Sequence, residues 1–145
     1  MSDSIAPKDI PQSIQRSDYA ELAAFRKALR MFLRFAEESA RAEGLTPQQH
    51  QTLLAIRADP NRDWASVGDI AESLQLQHNT TVGLVDRCLA AGLVERTRDE
   101  NDRRVVKVSL TPEGERVLET ITKRNLQELR ALGKLSKELE HLAKR

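Results

Sequence analysis

The run His78-Asn79-Thr80-Thr81 places polar side chains at the point where a helix should begin. An asparagine amide there can pair with adenine through two hydrogen bonds, and a threonine offers thymine both a hydroxyl and a methyl. The N-terminal residues of such a helix are the ones that reach base edges when it lies in a major groove. Further along, Arg98, Arg103 and Arg104 cluster with Asp102 around a polar stretch, where five basic residues stand against three acidic ones between Arg96 and Lys107. Arginines at a ribbon tip can enter a minor groove, where a narrow width concentrates negative potential. Ser66 and Thr46 each open a helix whose free amides can hold a backbone phosphate.

Other reactive side chains point nowhere comparable. Cys88 is the one cysteine, so no internal disulfide framework is available, which suits a reducing cytoplasm. It falls on the expected inner face of its helix, where a free thiol behaves as a small apolar group. His50, His78 and His141 lie far apart without metal-ligand spacing. No carboxylate pair, nucleophile with base, or glycine-rich phosphate loop occurs in a credible context, so we expect neither an enzyme nor a cofactor. The formal net charge of +1 decides nothing about nucleic acid. Any such reading rests on where the charges sit.

These residues need a scaffold, and the 145-residue chain contains one domain's worth of core, built from Leu, Ile, Val and Ala because aromatics are only 3%. Residues 1–16 carry Pro7 and Pro11 without apolar period and predict an extended or disordered arm. Residues 17–145 then form a single domain. A long helix from Asp18 to about Glu43 is marked by Leu22, Phe25, Leu29, Phe32, Leu33, Ala36 and Ala40, with Gly44 as a left-handed cap. At about 39 Å it outruns the core it can cover, and the surplus needs another partner. Thr46-Pro47-Gln48-Gln49 starts a second helix running to about Arg57, with Leu53, Leu54 and Ile56 apolar. Ser66 and Asp69 box the start of a third, with Val67, Ile70, Ala71 and Leu74 inward. After the turn Leu76-Gln77-His78-Asn79, a fourth runs from Asn79 to Ala91 and stops at Gly92, with Val82, Val85, Cys88 and Leu89 inward. A hairpin follows, with Val106, Val108 and Leu110 on one face of its return strand. Thr111-Pro112 opens the last major helix, and Gly133 breaks it before a leucine seam through Leu135, Leu139 and Leu142. The fold class is therefore mainly α with a small β-hairpin wing, a winged helix-turn-helix. No apolar run approaches the roughly 20 residues of a membrane span, and the N-terminus lacks the order of a signal peptide.

The wing resembles that of the MarR family of bacterial winged-helix transcription regulators. The family's Asp-x-Arg, five residues, Leu-Thr and downstream Gly stand here as Asp102-Arg103-Arg104, Val105 to Ser109, Leu110-Thr111 and Gly114. Val85-Asp86-Arg87, Ala91-Gly92-Leu93-Val94 and Gly44-Leu45-Thr46-Pro47-Gln48-Gln49 resemble the family's pattern as well, so that the likeness covers roughly residues 20–130. It departs at Cys88, where the family usually has Leu, and at Gln77, often a serine cap. The second departure weakens the cap by about 1 kcal/mol if neither His78 nor Asn79 replaces it.

The resemblance implies a homodimer held by residues 17–44 and 112–145, with residues 45–111 as the DNA-binding lobe on a near-palindromic double-stranded site. It implies Arg104 in the minor groove with Asp102 orienting it; with these two, the expected DNA-contacting set is Ser66, Gln77, His78, Asn79, Thr80, Thr81, Arg87, Arg98 and Arg103. It also implies a small aromatic or phenolic effector between the dimer helices and the lobe, for which Phe25, Arg26, Leu29, His50 and Trp64 are the candidates. These five show no convergent polar set, and dimer core for Phe25 and Leu29, with Trp64 beside a short strand, is the simpler expectation. The expected function is a cytoplasmic transcription regulator, a repressor tuned by a ligand; the alternative is a winged-helix module for protein–protein contact.

Overall fold

Local caps and glycines set most of the element boundaries. In the computed structural model, which describes residues 10–133 and Lys137, helix α1 spans Arg16–Ala42, α2 Pro47–Arg57, α3 Val67–Leu74, α4 His78–Ala90 and α5 Pro112–Ala131. Thr46 accepts the Gln49 amide at 3.1 Å while the Gln49 side chain accepts the Thr46 amide at 2.9 Å. Ser66 and Asp69 exchange the same pair of bonds at 3.0 Å each. Both capping boxes thus stand where the Ser/Thr-x-x-Gln/Asp spacing puts them. Gly44 and Gly92 take φ of 81° and 72° at the ends of α1 and α4, a left-handed conformation that glycine adopts without a Cβ penalty.

The strands are β1 Trp64–Ala65, β2 Val94–Arg98 and β3 Val106–Leu110, in an antiparallel sheet of order β1-β3-β2. The hairpin β2–β3 agrees with the sequence expectation; a short strand was expected beside Trp64, but β1 contains Trp64 itself, and two residues show no alternation that could have placed it. Trp64 pairs with Ser109 and Ala65 with Val108. This pairing ties the loop before α3 to the base of the wing.

The core joins Leu53 and Ile56 of α2, Ile70 of α3, Val85 and Cys88 of α4, Val94 and Val108 of the sheet, and Val117, Leu118 and Ile121 of α5. The stripe of α1 behaves differently from a core stripe. Ser39 and Ala40 are its buried residues, whereas Leu22, Leu29 and Leu33 are 42% exposed or more. Leu126 and Leu129 of α5 are equally bare, and Leu54, expected inside α2, is 44% exposed. Where α1 does meet α5, Arg124 reaches Glu43 at 3.0 Å and the Ser39 carbonyl at 3.4 Å. The terminal seam of Leu135, Leu139 and Leu142 lies outside the described residues, as does most of the arm. No helix among the described residues is long and apolar enough to cross a membrane.

One junction fixes how the wing leaves the helices. The Thr111 amide donates to the Leu93 carbonyl at 3.0 Å, and its hydroxyl donates to the Gly92 carbonyl at 2.6 Å while accepting the Gly114 amide at 3.0 Å. A Cβ on Gly114 would collide with the Leu93 carbonyl. The Leu-Thr-x-x-Gly spacing is therefore a lock between the start of β2 and the start of α5. Gly114→Ala should destabilise the chain by roughly 1–3 kcal/mol, read as a lower urea midpoint; an unchanged midpoint would mean that the two backbones are free to separate.

Candidate nucleic-acid interface

The reading end of α4 follows from how the helix is rolled. Thr81, Leu84, Val85 and Cys88 are buried at three-to-four spacing and turn towards α2 and α3. Exposed on the other side are Gln77, His78, Asn79 and Thr80. Thr81 is thus a correction to the expected DNA-contacting set. It is fully buried, and its hydroxyl donates to the Gln77 carbonyl at 2.9 Å, closing the first turn from inside. Helical rotation carries it away from the surface that Asn79 and Thr80 occupy. No side chain caps α4, so neither His78 nor Asn79 takes over from a serine.

Arg87, exposed one turn and more down the helix, lies back over Gly83. A Cβ at Gly83 would sit 3.8 Å from its guanidinium. Helical side chains lean towards the N-terminus, and the missing side chain at Gly83 leaves room for that lean.

The wing tip is held by two aspartates. The Asp99 carboxylate accepts the Asn101 and Asp102 amides at 3.1 and 2.9 Å and the Lys107 ammonium at 3.0 Å. The Asp102 carboxylate accepts three bonds from Arg104: the amide at 3.1 Å, Nε at 3.0 Å and an Nη at 3.1 Å. That fork holds the Arg104 guanidinium while its side chain stays 91% exposed. Lys107 holds the Asp99 carboxyl below its ordinary range, and Arg104 does the same for Asp102. Depressed carboxyl pKa values mean that these bonds are intact above the ordinary carboxylate range and are lost as pH falls through the depressed values. The two carboxylates are therefore ionised across neutral pH.

The remaining arginines divide by role. Arg98 donates to the Arg103 carbonyl at 2.8 Å and braces the loop from behind, whereas the Arg103 side chain is exposed. Arg96 meets Asp86 of α4 at 3.4 Å, linking wing to helix. Arg62, absent from the expected set, reaches Asp69 at 2.7 Å and Asp59 at 3.1 Å and stacks on the Trp64 ring at 4.1 Å. Its partner Asp69 is seven residues away, across β1 and the start of α3, and no helical or strand spacing marks the pair. Arg62, Ser66, His78, Arg98 and Arg104 line a groove of about 880 Å³ between wing and helices. The Ser66 hydroxyl is spent on its own helix cap.

The expected effector residues do not converge. His50 lines a cavity of about 470 Å³ with Phe32, Leu54, Asn125 and Leu129, between α1, α2 and α5. Phe25, Arg26 and Leu29 do not line it, because they lie nearer the start of α1. Trp64 lines the groove on the wing side instead and is part of the short strand β1. Burial lowers the His50 pKa and favours the neutral ring. Burial also pushes the Cys88 thiol up to about 11. The reactive thiolate is therefore scarce at neutral pH. Cys88 should resist iodoacetamide in the native chain near pH 8 and react once urea unfolds it. Rapid native alkylation would contradict its place in the core.

Residues 43–105 match the MarR family model. The HTH-type transcriptional regulator YsmB of Bacillus subtilis (strain 168) is 47% identical over 60 residues, which are 41% of this chain and 41% of that protein. The transcriptional activatory protein BadR of Rhodopseudomonas palustris (strain ATCC BAA-98 / CGA009) is 38% identical over 80 residues, 55% of this chain and 46% of that protein. The chain thus spans less than half the length of the curated relatives it matches. The crystal structure of the MarR family transcription regulator SP03579 superposes over 88% of this chain and 84% of its own, with a TM-score of 0.72 and 25% identity. The wing pattern, the matched module and the winged-helix fold agree: residues 43–105 match the MarR family, and the fold around them is similar to that of a MarR family regulator.

Proposed function

We propose that the chain is a sequence-specific DNA-binding transcription regulator of the cytoplasm, acting as a homodimer on a near-palindromic promoter site. The observation that carries this reading is the Asp102–Arg104 fork, which presents a nearly fully exposed guanidinium at the wing tip beside the exposed start of α4. A guanidinium held in advance loses less freedom on binding, so more of its attraction to a groove appears as affinity. His78, Asn79 and Thr80 read base edges, Arg104 takes the adjacent minor groove, and Arg87 and Arg103 add positive charge on either side.

Dimerisation is supported by the bare apolar face of Leu22, Leu29 and Leu33 on α1 with Leu126 and Leu129 on α5. Contiguous exposed apolar surface of this kind marks an interaction site. Two reading helices would then stand about one DNA turn apart, roughly 34–36 Å. A bound dimer represses by occluding the promoter. An effector in the His50 cavity, which touches α1, α2 and α5, relieves repression by changing that spacing.

Fluorescence anisotropy with DNA from upstream of the chain's own gene tests the reading. Specific binding that weakens on Arg104→Ala, with a salt slope smaller by about one, is expected. No binding even at low salt would overturn it and favour a protein-docking module. A slope unchanged by Arg104→Ala would remove Arg104 from the interface. In sedimentation, Leu29→Glu combined with Leu33→Glu should convert a dimer to a monomer; a wild-type monomer at micromolar concentration would sink the dimer.

A further inference from the structure

We propose that Trp64, Lys107 and Asp99 form a strut that positions Arg104, making them positioning residues of the DNA interface proposed above, on which this inference rests. A two-stranded ribbon in solvent is marginal by itself, and the loop between β2 and β3 is longer than either strand. Arg104 sits at the end of that loop, yet it is tied back to the lobe by an unbroken series of contacts.

The series starts at β1. Trp64 lies opposite Ser109 on β3, and Lys107 is two residues further along on the same face. Diagonal neighbours across a sheet are within reach of long side chains. The Lys107 ammonium accordingly lies 4.9 Å from the centre of the Trp64 ring, a cation–π distance, and also 3.0 Å from Asp99. Asp99 in turn fixes the Asn101 and Asp102 amides, and Asp102 holds Arg104 in its three-bond fork. At the other end, Arg62 stacks on the same indole and is anchored by Asp69, which completes the Ser66 capping box of α3. A polar path therefore runs from the start of α3 to the wing tip.

Two observations separate this path from ordinary surface pairing. The Lys107 and Asp99 side chains are 30% and 25% exposed, far less than the Arg104 they serve. Shielded pairs are screened less by salt than exposed ones. Lys107 is also doubly committed, to the ring and to the carboxylate, which leaves it a poor candidate for a phosphate contact of its own. Its role is to act through Arg104.

The test is a double-mutant cycle on the full chain, with DNA that the wild type binds. Lys107→Met keeps the stem and removes the charge, and it should weaken binding roughly fivefold or more. In an Arg104→Ala background, Lys107→Met should cost nothing further, and Lys107→Arg should restore most of the affinity in the wild-type background. Equal losses in both backgrounds, or a salt slope that falls with Lys107→Met in both, would show a direct phosphate contact and overturn the strut. A second measurement needs no DNA: amide exchange at Asn101 and Asp102 should quicken in Lys107→Met, while the α4 amides keep their protection. Unchanged exchange at those two amides overturns the strut even if the wild type proves to bind no DNA, an outcome that would strike the functional reading separately. Loss of protection throughout α4 would mean that Lys107 supports the whole lobe, which also overturns the proposal.

Discussion

The approach of the Gly114 backbone to the Leu93 carbonyl, locked by three hydrogen bonds of Thr111, is the constraint from which the rest of the lobe hangs. The chain leaves α4 at Gly92, travels out and back through the wing, and must return to the same place before α5 can begin. Thr111 meets both ends at once: its amide and hydroxyl hold the outgoing strand, and its oxygen caps the incoming helix. Register in a hairpin is otherwise a weak specification, and a slip by one residue would turn Val108 out of the core. With the base pinned, Val108 stays buried and the odd-numbered residues of β3 stay on the outer face. Trp64 and Lys107 share that face because of this register.

Charge in this protein is arranged rather than accumulated. A net charge of +1 offers little long-range attraction for a polyanion. Most of the arginines near the groove are already occupied, Arg62 by two aspartates, Arg96 by Asp86 and Arg98 by a carbonyl. Exposed pairs of this sort add little stability, commonly under about 1 kcal/mol, but they set direction. They stiffen the wing and leave Arg104 and Arg103 facing solvent. Asp102 does not neutralise that end result; it orients the guanidinium while leaving its outer face open.

The two ends of the helical frame differ in how well they are covered. One core runs from Ile56, Ile70, Val85 and Val108 of the lobe into Val117, Leu118 and Ile121 at the start of α5. The outer faces of α1 and α5 carry leucines that the lobe does not cover. Between α1, α2 and α5 lies the His50 cavity, lined by Phe32 of α1, Leu54 of α2, and Asn125 and Leu129 of α5. Any change in the seating of α1 against α2 and α5 must reshape it, since all three contribute to its wall.

The order of elements, both capping boxes, the glycine stops and the inward place of Cys88 were legible from the sequence, because each depends on residues within a few positions of one another. The Asp102–Arg104 pair and the Leu-Thr-x-x-Gly spacing came instead from the resemblance to the family's wing pattern. What escaped depends on residues far apart along the chain. The strand β1 exists only because β3 offers Trp64 and Ala65 a partner. Thr81 is lost to the reading face because the roll of α4 is set by its packing on α2 and α3. The aromatic and histidine proposed for one cleft lie in two, since Trp64 belongs to the wing and His50 to the helices. Local periodicity and caps therefore determined which helices and strands form. Tertiary packing decided which polar side chains are free, because it alone sets the distances at which Arg62, Trp64, Lys107 and Asp99 meet.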